Sequence, residues 1–148
     1  MKTLCIVPCG RRKIWDDNPK AGPAKAKDVY TGPFAKKCKE YALKCYPSSW
    51  CTISAKYGFL FPDDIVPGPY NVTFNDPRTN PISTEELLAQ AKQKKLYEYD
   101  RFVVIGGKEY VTRAKEVFAS KEIITPLSGS RGIGDMMHKL EDLIRKDR

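Results

Sequence analysis

The side chains best suited to chemistry are concentrated in residues 50–74, a stretch that begins as a strand and then becomes irregular. It carries an ammonium group, two phenols, two adjacent carboxylates and an amide, which belong to Lys56, Tyr57, Tyr70, Asp63, Asp64 and Asn71. Prolines stiffen the stretch and glycines let its backbone turn. A solvated, proline-rich loop is the alternative interpretation. Apolar residues run through the same stretch, however, so we expect it to lie against the protein body and form part of a binding site.

A second set of candidates follows the first apolar run of the chain, residues 4–7. Cys9 and Gly10 end that run, and three cations follow them, Arg11, Arg12 and Lys13. A glycine turn followed by cations suits the binding of a phosphate or a sugar-phosphate backbone. Cys9 beside these cations is also a candidate nucleophile. A small residue that ends a strand is the simpler interpretation of Cys9.

Two later loops and two isolated side chains complete the set of candidates. Gly107 and Tyr110 follow another apolar run, and the backbone at Gly107 can approach a ligand closely. Before the last helix stand Ser128, Gly129, Ser130 and Arg131. Amides at a helix start attract anions, but this loop lacks the Gly-Lys-Ser/Thr ending of a P-loop. Tyr30 and Ser54 are expected to face the same site.

The pattern of apolar residues predicts the elements that position these side chains. Short apolar runs at residues 2–8, 51–54, 102–105 and 123–125 predict strands, and each is followed by a segment with helical spacing. This alternation favours a single α/β domain over residues 1–148, with three layers and a mostly parallel, roughly four-stranded sheet flanked by helices. The loops after the strands should then gather at one edge of the sheet, where such folds bind ligands.

The composition excludes several classes of site. The five cysteines include no C-x-x-C pair, and their odd number argues against a disulfide framework. A single histidine makes a histidine-based zinc site or a Ser-His-Asp triad improbable. We therefore predict no metal and no cofactor. The apolar runs are too short to span a membrane and no signal peptide is recognised, so we predict a cytoplasmic protein with no membrane partner.

Positive charge is concentrated near the amino terminus. The net charge is +8, and residues 10–39, with nine basic and three acidic groups, contribute +6 of it. Such a block is typical of proteins that bind a phosphate-bearing partner, although solvated lysines on a generally basic protein would give the same count. Trp15 within this block is either a stacking residue or a hydrophobic anchor for its loop. We predict a nucleic-acid partner, with DNA favoured over RNA, and a monomeric protein.

These motifs together resemble a family of small uncharacterised bacterial and archaeal proteins. The resemblance covers nearly the whole chain and rests on Pro8-Cys9-Gly10-x-x-Lys13, Asp28-Val29-Tyr30-Thr31, Ser54-Ala55-Lys56-Tyr57-Gly58, Pro62-Asp63, Pro69-Tyr70, Gly107-x-x-Tyr110 and Pro126-Leu127-x-Gly129. That family is distantly similar to the peroxide-stress protein YaaA and to uracil-DNA-glycosylase-like domains. The resemblance implies a uracil-DNA-glycosylase-like fold. One departure is that the family usually has Pro-Tyr-Asp where this chain has Asn71 after Tyr70.

The resemblance implies base-handling chemistry, with hydrolysis of an N-glycosidic bond to a modified or damaged base as the expected reaction. It makes Asp63, Asn71 and Lys56 the catalytic candidates, with Asp63 orienting water or stabilising the sugar cation. Tyr57 or Tyr70 would stack on the base. The cations at residues 11–13 and the loop at residues 128–131 would hold the backbone. Two alternatives stay open, namely an enzyme acting on free nucleosides or nucleotides, and a non-catalytic DNA- or RNA-binding module.

Overall fold

A mixed five-stranded sheet forms the centre of the computed structural model, which describes residues 1–146. The strands of this described part are β1 (Thr3–Pro8), β2 (Ala24–Lys25), β3 (Trp50–Ser54), β4 (Gly58–Leu60), β5 (Ile65–Val66), β6 (Arg101–Val104) and β7 (Glu122–Ile124). The order in the main sheet is β4-β3-β1-β6-β7, and β2 pairs with β5 apart from it. The last two residues of the predicted domain, 147–148, lie outside the described part.

Helices cover both faces of the sheet. The α-helices within residues 1–146 are α1 (Ile14–Asp17), α2 (Ala26–Val29), α3 (Pro33–Cys45), α4 (Thr84–Gln93), α5 (Lys108–Val117) and α6 (Ile133–Lys146). One core cluster joins the sheet to α4 and α5, and a second joins the opposite face to α3 and α6. The prediction of an α/β fold with three layers and a mostly parallel sheet is confirmed.

The central strand β1 shows why this sequence forms a sheet that is covered on both sides. Leu4 and Ile6 enter the core on the α4 and α5 side, whereas Cys5 and Val7 enter the core on the α3 and α6 side. All four side chains are buried, as expected for a parallel strand with helices on both faces. Parallel neighbours flank it, with Cys5 opposite Trp50 of β3 on one side and opposite Val103 of β6 on the other.

The main sheet has five strands where the sequence predicts roughly four, because residues 58–60 form an additional short strand. β4 turns back from β3 and pairs with it antiparallel, with Ser54 opposite Gly58. Gly58 has a φ of 77°, which permits this tight turn. β5 pairs with β2, about forty residues earlier in the chain, so no local pattern could reveal that pair. Both strands are too short to carry a readable alternation of apolar and polar residues.

Residues 14–33 fold over the sheet edge as a lid with its own small core. Trp15, Val29 and Tyr30 are buried there against Leu60 and Val66. The Trp15 indole N–H donates to the carbonyl oxygens of Ala21 and Gly22, at 2.8 and 3.2 Å. Trp15 is therefore a hydrophobic anchor of its loop.

The connections between strands create a crevice at the carboxyl end of β1. The chain leaves β1 towards β3 on one side, through α3, and leaves β6 towards β7 on the other side, through α5. Adjacent strands whose connections diverge in this way leave an opening between their carboxyl ends, and open α/β sheets bind ligands there. In this fold the opening lies between the loops that follow β1 and β6.

Candidate functional site

Three neighbouring cavities surround the loop that follows β1, and Arg11 lines all of them. The switch-point cavity, about 740 Å³, lies between Pro8–Arg12 and Gly107–Tyr110. The outer cavity, about 690 Å³, lies between Arg11–Asp16 and Pro69–Asn71. The inner cavity, about 450 Å³, joins the two sides through Cys9, Lys13, Asn71 and Tyr110. Together they form one cleft at the sheet edge where the sequence predicted a site.

The switch-point cavity combines apolar walls with a cationic rim. Phe34, Met136 and Met137 supply apolar surface, Arg11 and Lys108 supply positive charge, and Glu109 adds one carboxylate. The helices α3 and α5 both begin at this cavity, with Gly32 and Gly107 as their N-caps, and within residues 1–146 no side chain caps either helix. Their dipoles direct partial positive charge towards the cavity, which favours an anionic ligand.

The inner cavity is lined mainly by polar groups. Its walls carry amides, hydroxyls and one carboxylate, contributed by Asn71, Asn75, Thr73, Thr79, Tyr110 and Asp76. The Tyr110 hydroxyl donates to the carbonyl oxygen of Cys9 at 3.0 Å and lies 3.5 Å from the Cys9 Sγ atom. Burial raises the pKa of Tyr110, so its phenol remains protonated at neutral pH. The chain thus offers hydrogen-bond donors and acceptors on several sides of a small space.

A buried hydrogen-bonded cluster supports the outer wall of the cleft. The hydroxyl oxygen of Tyr70 lies 2.5 Å from that of Tyr30 and 2.9 Å from the Ser54 Oγ atom. Ser54 Oγ also accepts the backbone N–H groups of Lys56 and Tyr57, at 3.2 and 3.0 Å. Burial raises the pKa of both Tyr30 and Tyr70. This cluster fixes the ring of Tyr70 at the edge of the outer cavity.

Lys13 is unusual because it is a buried cation. Its Nζ atom donates to the carbonyl oxygen of Arg11 at 2.9 Å and lies 4.4 Å from the centre of the Tyr70 ring. Its backbone N–H donates to the Asp16 carboxylate at 2.8 Å. Burial lowers the pKa of the Lys13 ammonium. Lys13 lines both the outer and the inner cavity.

Lys56 and Tyr57 lie beside the cleft and line none of the three cavities. The Tyr57 ring packs edge-on against Tyr70, with 5.4 Å between ring centres. Lys56 is exposed, and its Nζ lies 5.3 Å from the centre of the Tyr57 ring and 5.8 Å from that of Tyr70. The two residues are close enough to Tyr70 to support it, but neither opens onto the cavities.

Asp63 lies apart from the cleft. Its side chain is 74% exposed and forms ion pairs with Lys25 and Lys27, at 3.5 and 3.4 Å. The charges of Lys25 and Lys27 lower the pKa of its carboxyl group. Asp63 lines none of the three cavities, so the geometry does not place it where a ligand in the cleft would be.

The loop at residues 128–131 lies next to the switch-point cavity without lining it. The Ser130 hydroxyl donates to the carbonyl oxygen of Leu127 at 2.6 Å, and the Arg131 backbone N–H donates to Asp135 at 3.0 Å. Gly129 has a φ of 83° and completes the turn. The cavity wall is formed instead by the first turns of α6, which begins at Ile133.

Comparison with known proteins places this chain in a family. The model of the Family of unknown function (DUF6884) matches residues 4–142. The chain belongs to that family. The Uncharacterized protein YfjM of Bacillus subtilis (strain 168) is 41% identical over 147 residues, which cover 99% of this chain and 97% of the relative. No solved structure is significantly similar. The expected membership of a small uncharacterised family is thereby confirmed.

Within residues 1–146, no helix is both long enough and apolar enough to cross a bilayer. The same part of the chain shows no group of three or more His, Cys, Asp or Glu side chains arranged to hold a metal ion.

The second half of the inner cavity is formed by residues that were not predicted as site residues. Asn75, Asp76 and Thr79 line it, although the prolines around them indicated only a loop. The one feature that could have identified these residues as part of the site was their closeness in the sequence to Tyr70 and Asn71. Phe34 and Met136 pack against the core on the α3 and α6 side and also line the switch-point cavity, a second role that was not predicted.

Replacing Tyr70 with phenylalanine is expected to lower the free energy of unfolding by about 2 kcal/mol, because the hydroxyl groups of Tyr30 and Ser54 lose their shared partner inside the protein. Urea unfolding followed by circular dichroism measures the change. Tyr97→Phe is the matched control, since Tyr97 donates one hydrogen bond, to Val117 O, far from the cleft. If Tyr70→Phe lowers the free energy of unfolding no more than Tyr97→Phe does, the hydrogen bonds among Tyr30, Ser54 and Tyr70 do not stabilise the fold as expected.

Proposed function

We propose that this protein is a base-handling enzyme of nucleic acid that hydrolyses the N-glycosidic bond of a modified or damaged base, with DNA favoured over RNA. The observation that carries the proposal is the inner cavity, a small polar pocket at the carboxyl end of the central strand that is lined by Arg11. Enzymes that act on a base must take it out of the stack and hold it in such a pocket.

The inner cavity has the chemistry that an extruded base requires. Its volume, about 450 Å³, is sufficient for a base and its sugar. The amides of Asn71 and Asn75 can each donate and accept hydrogen bonds at a base edge. Tyr110 adds an aromatic ring to the wall. This ring packs edge-on against Phe74, with 5.7 Å between the ring centres. The pocket can therefore bind a base by its edge and its face together.

Phosphate binding is supported by the charges around the pocket. Arg11 forms no ion pair with any residue of the described part, whereas Arg12 is paired with Asp17. Arg11 is thus available to a phosphate group, and guanidinium groups suit phosphates because they bind them with two parallel hydrogen bonds. Lys108 and the amino ends of α3 and α5 extend the positive surface along the switch-point cavity.

The hydrolytic step is assigned to groups that line the inner cavity. Asn71 orients the attacking water, and the Asp76 carboxylate supplies negative charge near the sugar cation of the transition state. Hydrogen bonds from Arg78 lower the pKa of Asp76, so this carboxyl group is ionised at neutral pH. The role that the family resemblance implies for Asp63 thereby passes to Asp76, because Asp63 lines none of the three cavities.

One observation favours an enzyme of free nucleotides as the second candidate. The switch-point cavity, about 740 Å³, lies where open α/β sheets bind nucleotides, and it is large enough for a whole nucleotide. In that case the ligand would bind between α3 and α5, and the exposed lysines of the lid would have no part in binding.

The test is base release from labelled oligonucleotides. Single- and double-stranded substrates that carry a panel of deaminated, alkylated and oxidised bases are incubated with the protein, and alkali then cleaves each abasic site. Cleavage at one modified base supports the proposal. Absence of cleavage on every substrate, together with thermal stabilisation by a free nucleotide, would favour the second candidate. Salt-sensitive oligonucleotide binding without cleavage would identify a binding module.

A further inference from the structure

Lys13 is the one charged side chain that is buried within residues 1–146, with 6% of its surface exposed. Buried lysines are normally neutralised by a carboxylate. Lys13 Nζ forms no ion pair with any carboxylate of the described part, and its hydrogen bond goes to the neutral carbonyl of Arg11. The carboxylate of Asp16, which belongs to the lid, accepts the backbone N–H of Lys13.

An unneutralised ammonium in a buried position is costly, and the cost favours loss of its proton. Burial is the main reason why the pKa of Lys13 is lowered, and the nearby positive charge of Arg11 lowers it further. Cys9 and Asp16 act in the opposite direction. A neutral lysine amine is a nucleophile towards carbonyl carbons, and this is the usual catalytic use of a buried lysine.

The surroundings of Nζ suit the product of such a reaction. An iminium ion keeps one N–H bond, which can still donate to the carbonyl oxygen of Arg11, 2.9 Å away. It also keeps a positive charge, which the face of the Tyr70 ring stabilises at 4.4 Å. Lys13 lines both the inner and the outer cavity, so a sugar held in the inner cavity would contact this residue.

We propose that Lys13 is a nucleophile that forms an imine with the aldehyde of an abasic sugar in this cleft. This inference rests on the proposed function, because base removal leaves deoxyribose that opens to an aldehyde at C1′. The amine nitrogen bonds to C1′, and the carbonyl π electrons move to oxygen, which takes up a proton. A second proton moves from the nitrogen to this oxygen, the C–O bond breaks with loss of water, and the nitrogen lone pair forms the C=N bond of an iminium that keeps one N–H. Water reverses the sequence and regenerates the amine.

Borohydride trapping tests the proposal. The full-length protein is incubated with an oligonucleotide that carries one abasic deoxyribose, and sodium cyanoborohydride reduces any iminium to a stable secondary amine. A denaturing gel measures the cross-linked product, and mass spectrometry of its peptides locates the modified residue. We expect a single adduct at Lys13, reduced at least tenfold in Lys13→Arg and Lys13→Met. Lys92→Arg, an exposed change on α4, should retain the full yield.

Modification spread over surface lysines or confined to the amino terminus would overturn the proposal, and so would an undiminished adduct in Lys13→Arg. Peptide mapping of the wild-type protein decides the question even if a variant does not fold. Failure of this inference is distinguishable from failure of the proposed function, because base release is measured separately. Base release without an adduct leaves the glycosylase proposal standing, whereas an adduct at Lys13 without base release from any substrate refutes the glycosylase alone.

Discussion

Replacing Arg11 with glutamine is expected to weaken oligonucleotide binding about tenfold at physiological salt, since a charge-assisted contact to phosphate is lost. Arg11 lines all three cavities and forms no ion pair with any residue between 1 and 146. Its guanidinium group is therefore available to a phosphate. The loss should be nearly the same for every sequence, because a phosphate contact carries no base information.

Fluorescence anisotropy with a labelled oligonucleotide at several salt concentrations measures this effect. The slope of the logarithm of affinity against the logarithm of salt concentration should fall by about one for Arg11→Gln. Lys92→Gln on α4 is the matched control, since it removes one positive charge far from the cleft. Equal losses for the two variants would mean that the protein binds nucleic acid only through its overall charge.

Replacing Gly58 with alanine is expected to lower the free energy of unfolding by about 3 kcal/mol. Gly58 has a φ of 77°, where an L-residue is strained, and an added Cβ atom would lie 2.1 Å from the Gln90 Oε1 atom. Gln90 cannot simply move aside. Its amide accepts from Phe59 N and donates to Tyr57 O, both at 2.9 Å, and so connects α4 to the β3–β4 hairpin.

Urea unfolding measures this loss, and Gly22→Ala provides the control. Gly22 lies in open space with nothing within 4 Å of an added Cβ atom, so its substitution should change the free energy of unfolding by no more than about 0.5 kcal/mol. In a Gln90→Ala background, Gly58→Ala should cost less than in the wild type, because the clash is absent and only the strain at φ remains. Strictly additive losses would show that Gln90 does not restrain the hairpin.

The parts of the fold that the sequence predicts are those with local signals. The parallel strands β1, β3, β6 and β7 appear as apolar runs, and the helices between them show the spacing of a buried face. The loops that follow β1 and β6 are brought together, as parallel strands require. β4 and β5 depend on tertiary pairing, which a three-residue and a two-residue segment cannot reveal.

For the candidate site, residue types were easier to predict than their positions. Tyr70 and Asn71 reach the cleft, whereas Asp63, only a few residues earlier, points to solvent between Lys25 and Lys27. The chain between Asp63 and Tyr70 includes β5, which pairs with β2. Neither of these short strands was recognisable from the sequence. The burial of Lys13 was equally hidden, because the lid that covers it is assembled from residues 14–33, which show no regular pattern.

The most direct test of the account compares single-turnover base release by Asn71→Ala, Asp63→Ala and the wild-type protein on the modified base that the wild type removes. Because Asn71 lines the cleft and Asp63 does not, we expect the rate of base release to be about 100-fold lower in Asn71→Ala and unchanged in Asp63→Ala. Loss of activity in Asp63→Ala with full activity in Asn71→Ala would contradict it, and would place the chemistry on the lysine-lined surface around Asp63.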